Sequence, residues 1–540
     1  MRFRLLAALL LIIASGARVI SAQETTPNHW WNERVFYEIF VRSFFDSDGD
    51  GVGDLQGILA KLDYLNDGDA DTSSDLGVTG VWLMPVTVSP SYHGYNVTDY
   101  LQIDPDYGTM EDMRALIAAA HERGIAVIID LVINHTSNQH PWFLASATGD
   151  PDYADWYIWA DEDPGYRGPD GQTVWHPFGD RFYYGVFGSN MPDLNLSNPD
   201  VTAAIYEISR FWLEDVGVDG FRMDAIKHLI EDGQTQVSTP ATHAWLSAYD
   251  DFIDSINSEA LTIGEVWSST FDADNYVIDS EVDLTFDFDV ANALLQSAQS
   301  QRSAGAASIT GRDFGLYPAN QYGSFLSNHD QNRILSQLRG NTDAAKTAAS
   351  MLLLGPGVPF LYYGEEIGME GEKPDEHIRT PMQWDDTPTT GGFTTDRAPW
   401  IRIGGGSGEG ITVAAQTDAQ DSLLTHYRQL IALRNTHPAL QHGSYTAMDC
   451  SARSVYAFLR EADEERLLVL INLSDDPAEA FECGARASGL SGDFTASTLF
   501  GDATAAGNLT GFEDDGGFSG YMPVGSLSPF STTVIQLMPQ

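Results

Sequence analysis

The sequence predicts an α/β protein built on a (β/α)₈ TIM barrel, with an inserted domain after strand three and a C-terminal antiparallel β-sandwich domain. From residue 35 to about 366, eight apolar runs rich in Val, Ile and Phe alternate with amphipathic helical patterns. Beyond residue 440 the pattern changes to short alternating runs separated by turn residues. A chain of 540 residues is also too long for one ordinary core.

The barrel strands are expected where the apolar runs lie. The eight runs span residues 35–44, 77–85, 124–135, 217–225, 261–267, 282–290, 323–330 and 357–366. Amphipathic stretches such as 110–124 and 201–217 separate them and predict the outer helices. In such a barrel the chemistry lies at the C-terminal ends of the strands.

The remaining segments complete the domain plan. Residues 136–198 are rich in Gly, Pro and aromatic residues and show no long helix, so we expect an inserted domain that forms one wall of a cleft. The barrel then comprises 23–135 and 199–440, and the C-terminal β domain comprises 441–540. Residues 1–22 combine early arginines, a short apolar run and a small-residue end, which predicts a signal peptide and a secreted or periplasmic protein.

The charge of the chain excludes two classes of partner. It has 28 basic and 77 acidic side chains, a formal net charge of -49. Such a field repels nucleic acid and anionic membrane. It also destabilises the compact state unless salt screens it, which favours adaptation to a saline environment; an acidic surface kept for solubility is the alternative.

Only two cysteines, Cys450 and Cys483, are present, and both lie in the C-terminal region. In an exported protein this favours a disulfide between them over two free thiols.

Three hydrophobic runs each end in a carboxylate, on strands four, five and seven of the expected barrel. These are GVDGFRMDA with Asp224, LTIGEVW with Glu265, and GSFLSNHD with Asp330. Converging carboxylates repel each other, so a fold that keeps them favours chemistry. Cleavage or transfer of a glycosidic bond needs a nucleophilic carboxylate and a protonated acid, with a further carboxylate to hold the sugar.

Three basic side chains accompany these acids. Arg222 precedes Asp224 by two residues, so both share one face of the strand, and the guanidinium keeps the carboxylate ionised. His135 ends strand three and His329 adjoins Asp330. Two histidines at strand tips beside acids indicate donors to sugar hydroxyls; a structural role is the alternative.

The loop DSDGDGVGD predicts a calcium site. Asp46, Asp48, Asp50 and Asp54 stand at alternate positions, with the Val52 carbonyl between them, and hard oxygen ligands suit calcium rather than magnesium. The loop is not an EF-hand, because its twelfth position is a glycine. A solvated acidic turn is the alternative interpretation.

Together these segments resemble the α-amylase family, glycoside hydrolase family 13. DLVINH, GFRMDAIKH, IGEVW and FLSNHD are similar to its four best-known sequence regions, in order, and GVWLMP, MPDLN and GVPFLYYGEE to three further ones. The resemblance runs from about residue 35 to the C-terminus. It implies that Asp224 is the nucleophile of a retaining mechanism and that Glu265 is the general acid and then the general base.

The resemblance also implies the surrounding subsite. Asp330 is expected to bind hydroxyls of the distorted sugar and to hold the pKa of Glu265 high, while Tyr95 stacks beneath the ring. His135, Arg222 and His329 complete that subsite. Typical α-amylases hold a second calcium at the positions matching Asn134, Asp193 and the His228 carbonyl, a site that the glucosidase branch generally lacks.

Residues near the acids indicate which bond is cut. Ala225 follows the nucleophile where members acting on α-1,6 bonds tend to carry Val, and Lys227-His228 resembles the α-amylase pair on the leaving side. Exo-acting glucosidases of the family read DNGY where this chain has Tyr92-His93-Gly94-Tyr95, so the pocket-closing Asp is absent. These features favour internal α-1,4 cleavage.

Other features resemble different branches. RTPMQW at 379–384 and NHTSNQHPWF are similar to the oligo-1,6-glucosidase and trehalose-synthase branch, and MPDLN to the neopullulanase branch. The chain is therefore identified as intermediate between the oligo-1,6-glucosidase and neopullulanase branches.

The leading hypothesis is a secreted, monomeric, calcium-binding α-amylase acting on starch and maltooligosaccharides, with some transglycosylation. An α-glucosidase or a trehalose-synthase-like transglycosylase is the alternative within the family. A catalytically dead carbohydrate-binding subunit is the alternative outside enzymes, but such proteins lose one or more of the three acids, and this chain keeps them all.

Overall fold

The computed structural model describes residues 28–69, 74–396, 398–405, 410–514 and 516–540. The expected signal peptide, residues 1–22, lies outside them. Among the helices in these ranges, none combines the length and the apolar character that a membrane crossing requires.

Eight parallel strands form the barrel, as predicted. They are β1 Phe36–Ile39, β2 Gly80–Leu83, β3 Ala126–Leu131, β4 Gly220–Met223, β5 Leu261–Gly264, β6 Leu284–Thr285, β7 Gly323–Phe325 and β8 Val358–Tyr362. Their order around the sheet is β6-β5-β4-β3-β2-β1-β8-β7. A parallel bridge between Phe286 and Gly323 joins β6 to β7 and closes the ring.

Several strands are shorter than the apolar runs suggested. The run 282–290 yields a strand only at Leu284–Thr285, because Asp287 caps the following helix, accepting a hydrogen bond from the Val290 amide at 2.9 Å. Strand β7 likewise stops at Phe325, five residues before Asp330. Asp330 therefore lies on the loop after its strand, whereas Asp224 and Glu265 directly follow theirs.

Helices surround the barrel and carry the loops. The α-helices of the barrel region outside 136–198 are Leu55–Ala60, Leu62–Leu65, Met110–Glu122, Pro199–Arg210, Pro240–Ile256, Thr270–Ile278, Phe288–Ser300, Ala304–Phe314, Ile334–Gln337, Thr342–Leu354, Asp375–Ile378, Val413–Thr417, Leu423–Thr436 and Pro438–Gln441. A π-helical turn at Phe211–Val216 extends one of them, and 3₁₀ turns lie at Trp30–Glu33, Val41–Ser43 and Ile226–His228.

The interior of the barrel changes from apolar to charged along each strand. Phe36, Ile128 and Ile263 belong to one buried apolar cluster inside the ring. Alternate residues of a strand face the same side, so the residues two positions further on enter the interior above that cluster. For β1 and β3 these are Glu38 and Asp130, and for β5 the residue is Glu265. The apolar layer thus supports a layer of acids at the C-terminal end.

The segment 136–198 forms a small substructure beside this end. It contains the helix Pro141–Thr148 and a three-stranded antiparallel sheet of Trp159–Ala160, Arg181–Tyr184 and Trp175–Phe178. Val174, Trp175, Tyr184 and Val186 form its own buried cluster. His135 does not end β3, as expected, but lies four residues beyond it, and its backbone bridge to Asp193 holds the end of the segment against the barrel.

Beyond the barrel, the chain forms the antiparallel domain that the sequence predicts. Its seven-stranded sheet has the order Phe494–Phe500, Thr532–Pro539, Glu465–Asn472, Val455–Ala462, Ser444–Cys450, Cys483–Ala485, Phe518–Tyr521. Ala478–Glu479 pairs with Ser526–Leu527 in a separate ladder. Cys450 and Cys483 are cross-strand neighbours joined by a disulfide, which confirms that prediction.

Two buried arginines join this domain to the barrel. The Arg434 guanidinium donates to the carbonyls of Leu353, Gly355, Gly357 and Gln441, and Arg460 donates to those of Leu354, Gly443 and Ser444. Both side chains are fully buried. Neither forms an ion pair with a carboxylate in the described part of the chain, so their charges are held by backbone carbonyls.

Candidate active site

Arg222 on β4 gathers three carboxylates into one cluster. Its Nη1 lies 2.7 Å from Asp130 Oδ1 and 2.9 Å from Asp224 Oδ1, and its Nη2 lies 2.9 Å from Glu265 Oε2. Asp130 and Arg222 are register partners on β3 and β4. The planar fork of the guanidinium fixes the orientation of all three acids.

Burial shapes the protonation of the two acids that face each other across Arg222. It raises the pKa of Asp224 to about 6, against the opposing effect of Arg222. It also raises the pKa of Glu265, an effect that Arg222 opposes and that the charges of Asp224 and Asp330 reinforce. A raised pKa lets a carboxyl of this cluster keep a proton to donate, as a general acid requires.

Asp330 lies between two cationic side chains. His329 Nε2 is 3.1 Å from Asp330 Oδ2, and Arg379 Nη2 is 2.8 Å from Asp330 Oδ1. Burial alone would raise the pKa of this carboxyl, but His329 and Arg379 outweigh it and hold the pKa well below its usual range. Asp330 is thus a permanent carboxylate, suited to accept hydrogen bonds from sugar hydroxyls.

Tyr95 forms the floor between the histidines. Its hydroxyl donates to Asp130 Oδ2 at 2.9 Å and lies 2.8 Å from His329 Nε2, and its ring stacks on His329 at 5.5 Å. His135 is buried, with Nε2 3.0 Å from the Tyr95 carbonyl. His93 also stacks on the Tyr95 ring, with the centroids 6.0 Å apart, and its Nδ1 accepts from the Tyr95 amide.

The residues after the nucleophile turn away in different directions. Ala225 adopts a left-handed backbone conformation with φ 51°, and its amide donates to Glu265 Oε2 at 3.2 Å. Lys227 Nζ donates to the Trp267 carbonyl at 2.6 Å. The His228 ring is buried, with Nδ1 3.1 Å from the Gln236 carbonyl.

The acidic loop after β1 brings three of its predicted ligands together. Ligand oxygens of Asp46, Asp48 and Asp50 lie within 4.8 Å of one another. None of the three has a Lys or Arg partner among the described residues. Asp54 instead caps the helix Leu55–Ala60, accepting from the Gly57 amide and from Ser47. The converging carboxylates fit a hard cation such as calcium.

The proposed second metal position contains buried oxygens that have no hydrogen-bond partner among the described residues. Two of them are Asn134 Oδ1 and Asp193 Oδ2. Glu231 Oε1 is a third buried oxygen with no partner in the described ranges, and burial raises the pKa of Glu231 to about 7. Burial and the charge of Glu231 raise the pKa of Asp193 in turn. Oxygen donors left unsatisfied in this way fit a cation.

Four residues of the site escaped the sequence-based prediction. Asp130, Glu38, Arg379 and Glu231 all contribute charges or ligand atoms. A signal was present for the first two, because each is an acid at an inward position of an otherwise apolar strand. Arg379 lies in RTPMQW, far along the chain from the acid it contacts, and no local pattern indicates the pairing.

A barrel with this carboxylate cluster at the C-terminal ends of its strands defines a glycoside hydrolase. The family model for the α-amylase catalytic domain matches residues 38–443. The chain therefore belongs to the α-amylase family, glycoside hydrolase family 13.

Known relatives support this assignment over nearly the whole chain. Alpha-amylase 3 of Dictyoglomus thermophilum is 38% identical over 450 residues, covering 82% of this chain and 85% of the relative. The oligo-1,6-glucosidase of Parageobacillus thermoglucosidasius is 32% identical over 533 residues, covering 83% and 91%. The crystal structure of the α-amylase from H. orenii has 39% identity and a TM-score of 0.78, covering 95% of this chain and 100% of that one.

Proposed function

We propose that this enzyme is an α-amylase that cleaves internal α-1,4-glucosidic bonds of starch and maltooligosaccharides with retention of configuration. The observation that carries the proposal is the loop after β2. There His93, rather than an acid, lies against Tyr95 at the base of the cluster. Two relatives named as α-amylases are 38% and 39% identical, compared with 32% for the oligo-1,6-glucosidase.

The chemistry at His93 supports an open cleft. Burial, aided by Arg379, lowers the pKa of His93 to about 4, so the side chain is neutral at neutral pH. A neutral ring gives no carboxylate with which to fix a terminal sugar hydroxyl. A cavity of about 280 Å³ also adjoins Asp330, lined in part by Trp267, Asn332 and Lys373. It leaves room for sugars beyond the cleavage point.

The first half of the proposed reaction forms a covalent intermediate. Asp224, held by Arg222, attacks the anomeric carbon while Glu265 transfers its proton to the leaving oxygen. Asp330 and His329 hold hydroxyls of the sugar as the ring flattens.

The second half regenerates the enzyme. Glu265, now ionised, takes a proton from water, and the oxygen of that water displaces Asp224 from the anomeric carbon. The two displacements restore the original configuration. A sugar hydroxyl in place of water gives transglycosylation by the same path.

We further propose that calcium occupies the loop of Asp46, Asp48 and Asp50, and a second position at Asn134 and Asp193, with Glu231 as an added ligand. The support is the convergence of the first three carboxylates and the unpartnered buried oxygens of the second set. At both positions the ion would be structural, fixing loops beside the cleft. Export from the cell is proposed on the N-terminal sequence, and the disulfide is consistent with it.

A timed product profile on soluble starch tests the proposed specificity. We expect mixed maltooligosaccharides at the earliest times, and cleavage of maltoheptaoside blocked at its non-reducing end. Glu265→Gln serves as the inactive control, because the amide cannot donate the proton. Glucose alone from the start, with the blocked substrate untouched, would refute endo cleavage.

An α-glucosidase or transglycosylase acting on short oligosaccharides is the second candidate. The observation that favours it is the contact between Arg379 of RTPMQW and Asp330, since that motif resembles the oligo-1,6-glucosidase branch. The match to the oligo-1,6-glucosidase covers 83% of this chain, compared with 82% for the match to Alpha-amylase 3. Rates on maltotriose and on isomaltose, measured beside those on starch, separate the two candidates.

A further inference from the structure

Glu38 is a charged residue inside the barrel that the proposed chemistry does not use. It lies on β1, two residues beyond Phe36 of the apolar layer, and its side chain is 2% exposed. A carboxylate in such a place is costly unless it is paired. Within the described ranges Glu38 forms one ion pair, in which its Oε1 lies 2.5 Å from His329 Nδ1.

The other nitrogen of His329 faces the site. Nε2 lies 3.1 Å from Asp330 Oδ2 and 2.8 Å from the Tyr95 hydroxyl. Each ring nitrogen therefore meets a carboxylate, and only an imidazolium can donate to both at once. Burial opposes the positive charge, but Asp330 and Glu38 raise the pKa of His329 to about 10.

The other acids near His329 have partners elsewhere and do not take the place of Glu38 at Nδ1. Asp130 is ion-paired with Arg222, and Asp330 is shared with Arg379. The charged or titratable groups that face this cluster from the surrounding elements are Glu38 on β1, His93 and Tyr95 after β2, Asp130 on β3, Arg222 and Asp224 at β4, Glu265 after β5, Asp330 after β7 and Arg379 after β8. Glu38 is the carboxylate that meets Nδ1.

We propose that Glu38 is a positioning residue for the reaction, which holds His329 as a doubly protonated ring that donates through Nε2 to Asp330 and to the substrate. The inference rests on the proposed roles of Asp224 and Glu265. With a neutral group at position 38, the ring loses one of its two counter-charges. The ring then loses its second proton at lower pH, from Nδ1, because Asp330 still faces Nε2. The neutral ring that remains donates more weakly through Nε2 to Asp330 and to the sugar.

The direction of the pH effect follows from this linkage. The active form carries the proton, and Glu38 raises the pKa of that proton. Removing the charge of Glu38 therefore preserves activity at low pH and lowers it as pH rises through the lowered pKa. A residue that merely fills space would lower activity equally at every pH.

Glu38→Gln, which keeps the shape and removes the charge, tests the proposal. We expect kcat/KM on soluble starch to fall by about tenfold to a hundredfold at pH 8 and much less at pH 5.5. Glu365→Gln is the matched control. It is another buried acid of the barrel, which accepts from Tyr427, and burial raises its pKa to about 8, so an amide resembles its native state. We expect its pH profile to match that of the wild type.

Nitrogen NMR of the His329 ring tests the proposal in the wild-type enzyme itself, where we expect the ring to keep both protons above pH 8. In Glu38→Gln the same measurement should show one proton lost at lower pH. Titration of the wild-type ring near the ordinary value of about 6.5 would overturn the proposal, even if the variant fails to fold. So would an unchanged pH profile in a folded variant. Activity retained by Glu265→Gln would instead refute the proposed function.

Discussion

At the scale of single residues, charges of opposite sign alternate through the site. One series runs Glu38, His329, Asp330, Arg379, and the other joins Asp130, Asp224 and Glu265 through Arg222. Among the described residues, Glu38 has His329 as its one ion-pair partner, so removing His329 would leave a buried carboxylate with no opposite charge, which costs about 3–5 kcal/mol. Shape-preserving neutral substitutions therefore report function more clearly than truncations to alanine.

His93 is the residue on which the proposed cleavage of internal bonds depends most. We predict that His93→Asp, which places a carboxylate near Arg379 and Tyr95, raises the ratio of activity on maltotriose to activity on starch by about tenfold. A charged hydrogen bond to a terminal sugar hydroxyl provides the physical reason. Initial rates on the two substrates give the measurement. His93→Asn is the control for size, and equal ratios in the two variants would contradict the role of charge.

Prediction from sequence succeeded for residues that carry a local pattern. Asp224 and Glu265 end apolar strands, so their convergence could be expected from the barrel alone. Which side chains these acids contact could not be predicted from the sequence. Arg222 was expected beside Asp224, yet it also holds Asp130 and Glu265, which depends on the register between β3, β4 and β5. Register is a property of the closed sheet, not of any one segment.

At the scale of elements, loops after the strands set the limits of prediction. All eight strands were predicted, but β6 and β7 end early because a capping aspartate and a turn take over. The acidic loop after β1 is the best-defined of these elements. Its Asp46 also accepts from the Gly51 amide, and Thr394, from a distant segment, donates to the same carboxylate. The loop thereby links the start of the barrel to the segment after β8.

We predict that the acidic loop binds calcium and stabilises the enzyme. Removing calcium with a chelator should lower the melting temperature by several degrees, since a ligand at a hundred times its Kd contributes about 2.7 kcal/mol. Asp48→Asn should reproduce most of that loss and should no longer respond to added calcium. Calorimetry with and without calcium gives the measurement.

Asp150→Asn is the matched control for this experiment. Asp48 and Asp150 are both exposed, and each accepts a hydrogen bond from the amide two residues later at 3.1 Å. The two variants remove the same charge and the same kind of turn contact. A response of Asp150→Asn equal to that of Asp48→Asn would show that general acidity, not a bound ion, controls stability.

At the scale of the whole molecule, the net charge of -49 is the property that we expect to control how stability depends on salt. We predict that raising NaCl from 0.1 M to 1 M increases the melting temperature, because the screening length falls from about 10 Å to 3 Å. A non-ionic osmolyte at equal osmolality is the control for general exclusion effects. A melting temperature that falls with added salt would contradict adaptation to a saline environment.

The junction around Arg434 and Arg460 has a consequence for how this enzyme can change over evolutionary time. The two guanidiniums bind carbonyls from the barrel helix before β8, from the segment that starts β8 and from the start of the C-terminal domain. A recombination event that exchanged only the residues after 441 would remove Arg460 and its hydrogen bond to the Leu354 carbonyl of the barrel. We therefore expect chimeras to keep these contacts when the exchanged part begins ahead of Thr342–Leu354 and so carries the last part of the barrel with the terminal domain.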